Sequence, residues 1–119
     1  TRDFNAEAAT WDDSPTRVQL AEDVTTAIRE EVPLTSDMDV LDFGCGTGLV
    51  SLRIAPFVNS VTCVDTSRGM LEVLQRKLDE LGTGAPEEQA AVARLRPLVA
   101  GFQLKPYMQV VEELRERIA

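Results

Sequence analysis

The chain has 119 residues, 44% hydrophobic and 27% charged, which is the balance of one folded globular domain with a modest core and excludes a fibrous or disordered protein. Twenty acidic against twelve basic residues give a net charge of -8, which repels polyanions, so nucleic acid is not an expected partner. Histidine is absent, which excludes a histidine base, a triad built on one and the usual zinc sites.

No apolar run approaches the ~20 residues that cross a bilayer, and the opening TRDFNAEAATWDD lacks the basic-then-apolar order of a signal peptide. The expectation is a cytoplasmic protein with no membrane partner. Asp13 or Ser14 followed by Pro15 predicts a helix start, because a short polar side chain caps free amides and proline suits the first turn. That helix should reach about Val32, ended by Pro33, with Leu20, Ala21, Val24, Ala27, Ile28 and Val32 on one buried face.

MDVLDFGC, residues 38–45, reads as a strand covered on both faces, and TGLVSLRIA, residues 47–55, as the helix after it. SVTCVD, residues 60–65, is a second strand. SRGMLEVLQRKLDEL, residues 67–81, is a second such helix with Met70, Leu71, Leu74, Leu78 and Leu81 aligned. The αβαβα order implies an α/β fold, with parallel strands joined by right-handed crossovers.

At GTGAP, residues 82–86, the alternation gives way to a mainly helical pattern, so residues 1–81 and 82–119 are expected to be two segments of one compact domain, the second packing on the first. Pro86 with Glu87 and Glu88 starts a helix that should reach about Arg96. PLVAGFQL, residues 97–104, fits both periods, and helix is the preferred expectation because its neighbours are helical. Pro106 opens a last helix striped by Tyr107, Val110, Val111, Leu114 and Ile118.

Gly44, Gly46 and Gly48 fall between a strand and a helix, where they permit a tight turn, close approach to a ligand and free amides at a helix start. The loop is not the dinucleotide fingerprint, whose third glycine would stand at position 49, occupied by Leu49, and it lacks a P-loop lysine. Asp65 ends the second strand about 20 residues on, the separation at which Rossmann-like folds place a carboxylate on ribose hydroxyls. A cap on the helix that follows is the other role open to Asp65. Cys45 and Cys63, in or beside buried strands and without CxxC spacing, are expected to be reduced thiols packed as small apolar groups, with no metal site.

Carried by LDFGCGTG and by DTSRGML after the second strand, the stretch from about Phe4 to Leu81 resembles the class I S-adenosylmethionine-dependent methyltransferases of small-molecule type. The resemblance implies a partial Rossmann-like half, a short parallel sheet flanked by helices, that takes S-adenosylmethionine or S-adenosylhomocysteine. It places Gly44, Cys45, Gly46 and Gly48 around the methionine part, with Asp42 as the acid before them. It places Asp65 on the ribose, and Thr66, Ser67 and Met70 beside ribose and adenine. Phe4, Trp11 and Arg17 resemble the family's N-terminal cover, although Trp11 serves equally as an anchor for the first helix.

Past Leu81 the family pattern is not legible, and no aspartate follows Asp79. Cofactor binding is therefore expected to be weak or vestigial, and no catalytic residue is assigned. Asp42, Asp12 and Asp13 are the candidate bases, each better read as structural or solvent-facing because an ordinary carboxylate, with a pKa near ~4, is a poor proton acceptor. The expectation is a recombined or engineered methyltransferase-like fragment. Its alternatives are a compact enzyme completed by a partner subunit and a non-catalytic scaffold. A small molecule and a second copy of the chain are the expected partners, since a two-stranded sheet has both edges open.

Overall fold

In the computed structural model, which describes residues 2–99, a 3-stranded parallel sheet carries helices against it. Phe4–Glu7 form a short helix, α1, followed by a 3₁₀ helix at Ala8–Asp13. The Ser14 hydroxyl accepts from the Arg17 amide at 3.3 Å, and with Pro15 in the first turn it starts α2, Pro15–Glu31. Its predicted face is only partly covered. Ala21 and Thr25 are buried, whereas Leu20 is 62% and Val24 39% exposed.

β1 (Asp39–Phe43), α3 (Leu49–Ile54), β2 (Ser60–Asp65) and α4 (Arg68–Leu81) follow as the expected alternation. β1 and β2 run parallel, Asp39 opposite Ser60 through Phe43 opposite Val64. On α4 the stripe Met70, Leu71, Leu74 and Leu78 is buried as its spacing predicts. Leu71, Leu74 and Leu78 meet Ile54, Ala55, Val58, Val61, Cys63 and Leu95 in one core. Each such aliphatic side chain contributes about 1.5–3 kcal/mol by leaving water.

Beyond Gly82 the structure corrects two expectations. The helix opened by Pro86, α5, ends at Val92 and does not reach Arg96. Leu95–Val99 then form a strand, β3, parallel to β2, with Val61 opposite Leu95 and Asp65 opposite Val99, so the helix preferred for 97–104 is wrong where it is described. Two effects favour the strand. Pro97 would break a helix continuing from α5, and on an outer strand the missing N–H of proline can be turned away from the partner. Residues 100–104 and the stripe from Tyr107 to Ile118 lie outside the described residues.

Among the described residues the sheet thus has three strands in the order β1-β2-β3, where two were expected. Central β2 carries Val61, Cys63 and Val64 at no more than 1% exposure. Among the described residues, no helix is long and apolar enough to cross a membrane.

Candidate functional site

The loop after β1 is laid onto the end of β2. The amides of Gly44 and Cys45 both donate to the Val64 carbonyl, at 2.7 and 3.0 Å. To turn from there into α3 the chain uses positive φ at Gly44, Gly46 and Gly48, +78°, +57° and +83°, a region that side chains with a Cβ rarely occupy. Beyond backbone freedom the three differ. A Cβ on Gly44 would meet nothing within 4 Å and one on Gly46 only the Met70 Sδ at 4.0 Å, whereas one on Gly48 would stand 2.5 Å from Leu74 Cδ1. Gly44 and Gly46 leave open space, and Gly48 serves core packing.

That open space is a cavity of about 260 Å³ lined by Phe4, Trp11, Gly44, Gly46, Asp65, Thr66 and Met70. Asp65 holds its floor together: one carboxylate oxygen accepts from the Gly46 amide at 2.7 Å, the other from the Ser67 amide at 2.8 Å. Both roles open to Asp65 in the sequence bear on this geometry, since the Ser67 bond is local to the helix start and the Gly46 bond reaches into the loop. The cap of α4 itself is Ser67, whose hydroxyl accepts from the Met70 amide at 3.2 Å.

Asp42 and Cys45 face a second cavity of about 410 Å³. Apolar side chains of α2 and α3, among them Leu20, Val24, Ile28 and Val50, form much of its wall, and it shares Trp11 and Gly44 with the first cavity. Asp42 accepts a 2.5 Å hydrogen bond from the buried Ser51 hydroxyl. Of the residues predicted for one site, Gly44, Gly46, Asp65, Thr66 and Met70 converge, Asp42 and Cys45 lie next door, and Gly48 points into the core.

The N-terminal segment closes the first cavity. Phe4 and Trp11 pack edge to face with ring centroids 6.0 Å apart, and the Arg17 guanidinium stacks 3.7 Å above the Trp11 ring. Sequence reasoning missed Asn5, which accepts from both the Ser67 hydroxyl and the Gly69 amide at 2.7 Å. It took Asp12 only as a weak candidate base. Asp12 accepts from the Thr47 hydroxyl at 2.6 Å and pairs with Lys77, also at 2.6 Å.

Cys45 and Cys63 are free thiols, their sulfurs 3.6 Å from the Gly46 carbonyl and 3.9 Å from the Val61 carbonyl respectively. Contact with Cys63, burial and the nearby Asp42 and Asp65 carboxylates push the Cys45 thiol far up, while the same contact with Cys45 lowers Cys63. Among the described residues, no group of three or more His, Cys, Asp or Glu is placed to hold a metal ion.

A family model described as a methyltransferase domain matches residues 40–114. The chain is 36% identical over 55 residues to an uncharacterized methyltransferase of Schizosaccharomyces pombe, covering 46% of this chain and 19% of that protein. It is 46% identical over 54 residues to a demethylmenaquinone methyltransferase of Leptospira interrogans, covering 43% and 22%. The chain thus spans about a fifth of the length of these curated relatives. In fold it is similar to a putative S-adenosyl-L-methionine-dependent methyltransferase of Methanococcus maripaludis, with a TM-score of 0.64, 16% identity and coverage of 84% of this chain and 43% of that one. It is also similar to magnesium protoporphyrin IX methyltransferase of Synechocystis crystallised with bound S-adenosylmethionine, with a TM-score of 0.55, 19% identity and coverage of 85% and 43%. A match over residues 40–114 takes in more than half of the chain, the glycine loop, Asp65 and β3 alike: the protein belongs to the methyltransferase-domain family.

Proposed function

We propose that this chain is the cofactor-binding half of a small-molecule methyltransferase and holds S-adenosylmethionine or S-adenosylhomocysteine in the cavity between the glycine loop and the N-terminal segment. The observation that carries this reading is the vacant Cβ space at Gly44 and Gly46, both at positive φ, facing a carboxylate at the end of the next strand. A loop that turns bare backbone toward a cavity admits a ligand closer than any side chain would allow.

Asp65 suits a ribose. An ionised carboxylate has about four acceptor positions, so after the Gly46 and Ser67 amides it can still receive two hydroxyls. Gly44 and Gly46 would border the methionine part, and Met70, Thr66, Phe4 and Trp11 would enclose the ribose and adenine. The cofactor supplies a methyl group already activated on a sulfonium, so the protein's task is alignment. Asp12 and Asp42 are engaged by Thr47, Lys77 and Ser51, which favours structural roles over proton transfer.

The apolar cavity sharing Trp11 and Gly44 supports an apolar small molecule as acceptor, in keeping with the quinone-type relative. The family match runs through Gly82 to residue 114, which favours one continuous origin over recombination or engineering at that point. Two further proposals complete the reading: a second copy of the chain as partner, and weak affinity for the cofactor.

Titration with S-adenosylhomocysteine while melting is followed tests the proposal. At a hundredfold excess over its dissociation constant a ligand adds about 2.7 kcal/mol of stability. An unchanged melting curve at saturating ligand would leave the scaffold alternative. Turnover of the methyl donor by the isolated chain with a panel of apolar acceptors would show a complete enzyme, and turnover only with an added protein would show completion by a partner.

A further inference from the structure

We propose that residues 3–13 form a strap latched over the glycine-loop cavity by Asn5 and Asp12, and that release of this latch sets how fast a ligand enters and leaves. Among the described residues, every side-chain hydrogen bond or ion pair from residues 2–13 to the body beyond α2 ends on one of these two side chains. The strap is otherwise mostly exposed, with Ala8 its only buried residue.

The first latch is built into the start of α4. Gly69 presents an amide that the helix cannot satisfy internally, and the Asn5 carbonyl oxygen takes it together with the Ser67 hydroxyl, both at 2.7 Å. The fit is close: a Cβ on Gly69 would lie 2.8 Å from Asn5 Cα and 3.0 Å from its backbone oxygen. Glycine inside a helix costs about 0.8–1.0 kcal/mol relative to alanine. Its presence is explained by the strap seated against it.

The second latch reaches the loop. One oxygen of Asp12 fixes the hydroxyl of Thr47, only 1% exposed between Gly46 and Gly48, and the other pairs with Lys77 on α4. Phe4 and Trp11, each next to a latch residue in the chain, both line the cavity. After Asp13 the chain turns at Ser14, extended at φ -82° and ψ 113°, and enters α2. That junction is where the strap would pivot. The hydrogen bonds of Asn5 and Asp12 to the body end on Ser67, Gly69, Thr47 and Lys77, beside the cavity rather than in its lining, so the two are positioning residues.

The inference rests on the cofactor reading for the identity of its ligand, but the latch itself can be tested without one. Trp11 is the only tryptophan, so its emission reports the strap directly. In the free chain, Asn5→Ala/Asp12→Asn should shift Trp11 emission to the red and make it more accessible to acrylamide. S-adenosylhomocysteine should leave this variant about tenfold faster or more, a change within reach of two lost hydrogen-bonded latches.

Gly69→Ala is the second variant. It should open the strap in the same way although alanine strengthens the helix, with the circular dichroism and the cooperative melting of the parent retained. A merely structural role would move melting without exposing Trp11. Parental Trp11 accessibility and dissociation rates in both variants would overturn the latch. Raised accessibility with no S-adenosylhomocysteine binding to any form would uphold the latch and reject the cofactor reading.

Discussion

Gly46 and Asp65 form the closest link between loop and strand at the site, an amide 2.7 Å from a carboxylate oxygen. Valine at Gly46 would set a branched side chain at φ +57°, at a strain of about 1–3 kcal/mol, and fill the space in front of Met70. The expected outcome for Gly46→Val is a lower but cooperative melting transition and no measurable binding of S-adenosylhomocysteine by calorimetry. Parental affinity would remove the loop from the site. Asp65→Ala deprives two amides of their acceptor as well as any ribose, so it should lower both stability and binding, by about 1–3 kcal/mol each. Urea unfolding and ligand titration on the same protein separate the two. Lost stability with unchanged binding would confine Asp65 to the turn.

At the scale of elements, what could be read in the sequence was what depends on near neighbours. Ser14 with Pro15 located the start of α2, and SVTCVD located β2 at its observed bounds. The glycine loop and Asp65 were visible for the same reason. β3 stayed open between two periods, because Pro97 suits an outer strand, and being outermost among the described strands is a property of the sheet rather than of PLVAGFQL. Asn5 and Asp12 were equally hidden, since their partners lie 35 to 65 residues away. The assignment of Gly48 to the ligand missed a packing role that only the approach of α4 reveals. Gly48→Ala should cost about 1–3 kcal/mol from its left-handed φ and the overpacking against Leu74 together, and Leu74→Ala alone about 2–5 kcal/mol by leaving a cavity. Because truncating Leu74 makes room for the added methyl and the methyl fills part of the void, the double variant should unfold at higher urea than the sum predicts. Strict additivity would show that the two do not share the space.

For the molecule as a whole the question is what covers the apolar side chains that are exposed among the described residues. The register sets Val61, Cys63 and Leu95 toward the helices and Leu41, Thr62, Val64 and Leu98 toward the opposite face, where Val64 at the centre is buried and Leu98 at the side is 47% exposed. Leu20 and Val24 add apolar surface on α2, and parallel sheets are ordinarily buried on both sides. Self-association is the expected outcome: the chain should sediment as at least a dimer, with twice the 13.1 kDa of one copy. The net charge of -8 on each copy opposes that contact, so added salt, by shortening the reach of the repulsion, should strengthen it. Sedimentation equilibrium at low and high ionic strength tests both parts. A cooperatively folded monomer of 13.1 kDa at high micromolar concentration in high salt would reject the dimer, and the exposed side chains of α2 and β3 would then be surface that the single copy sustains alone.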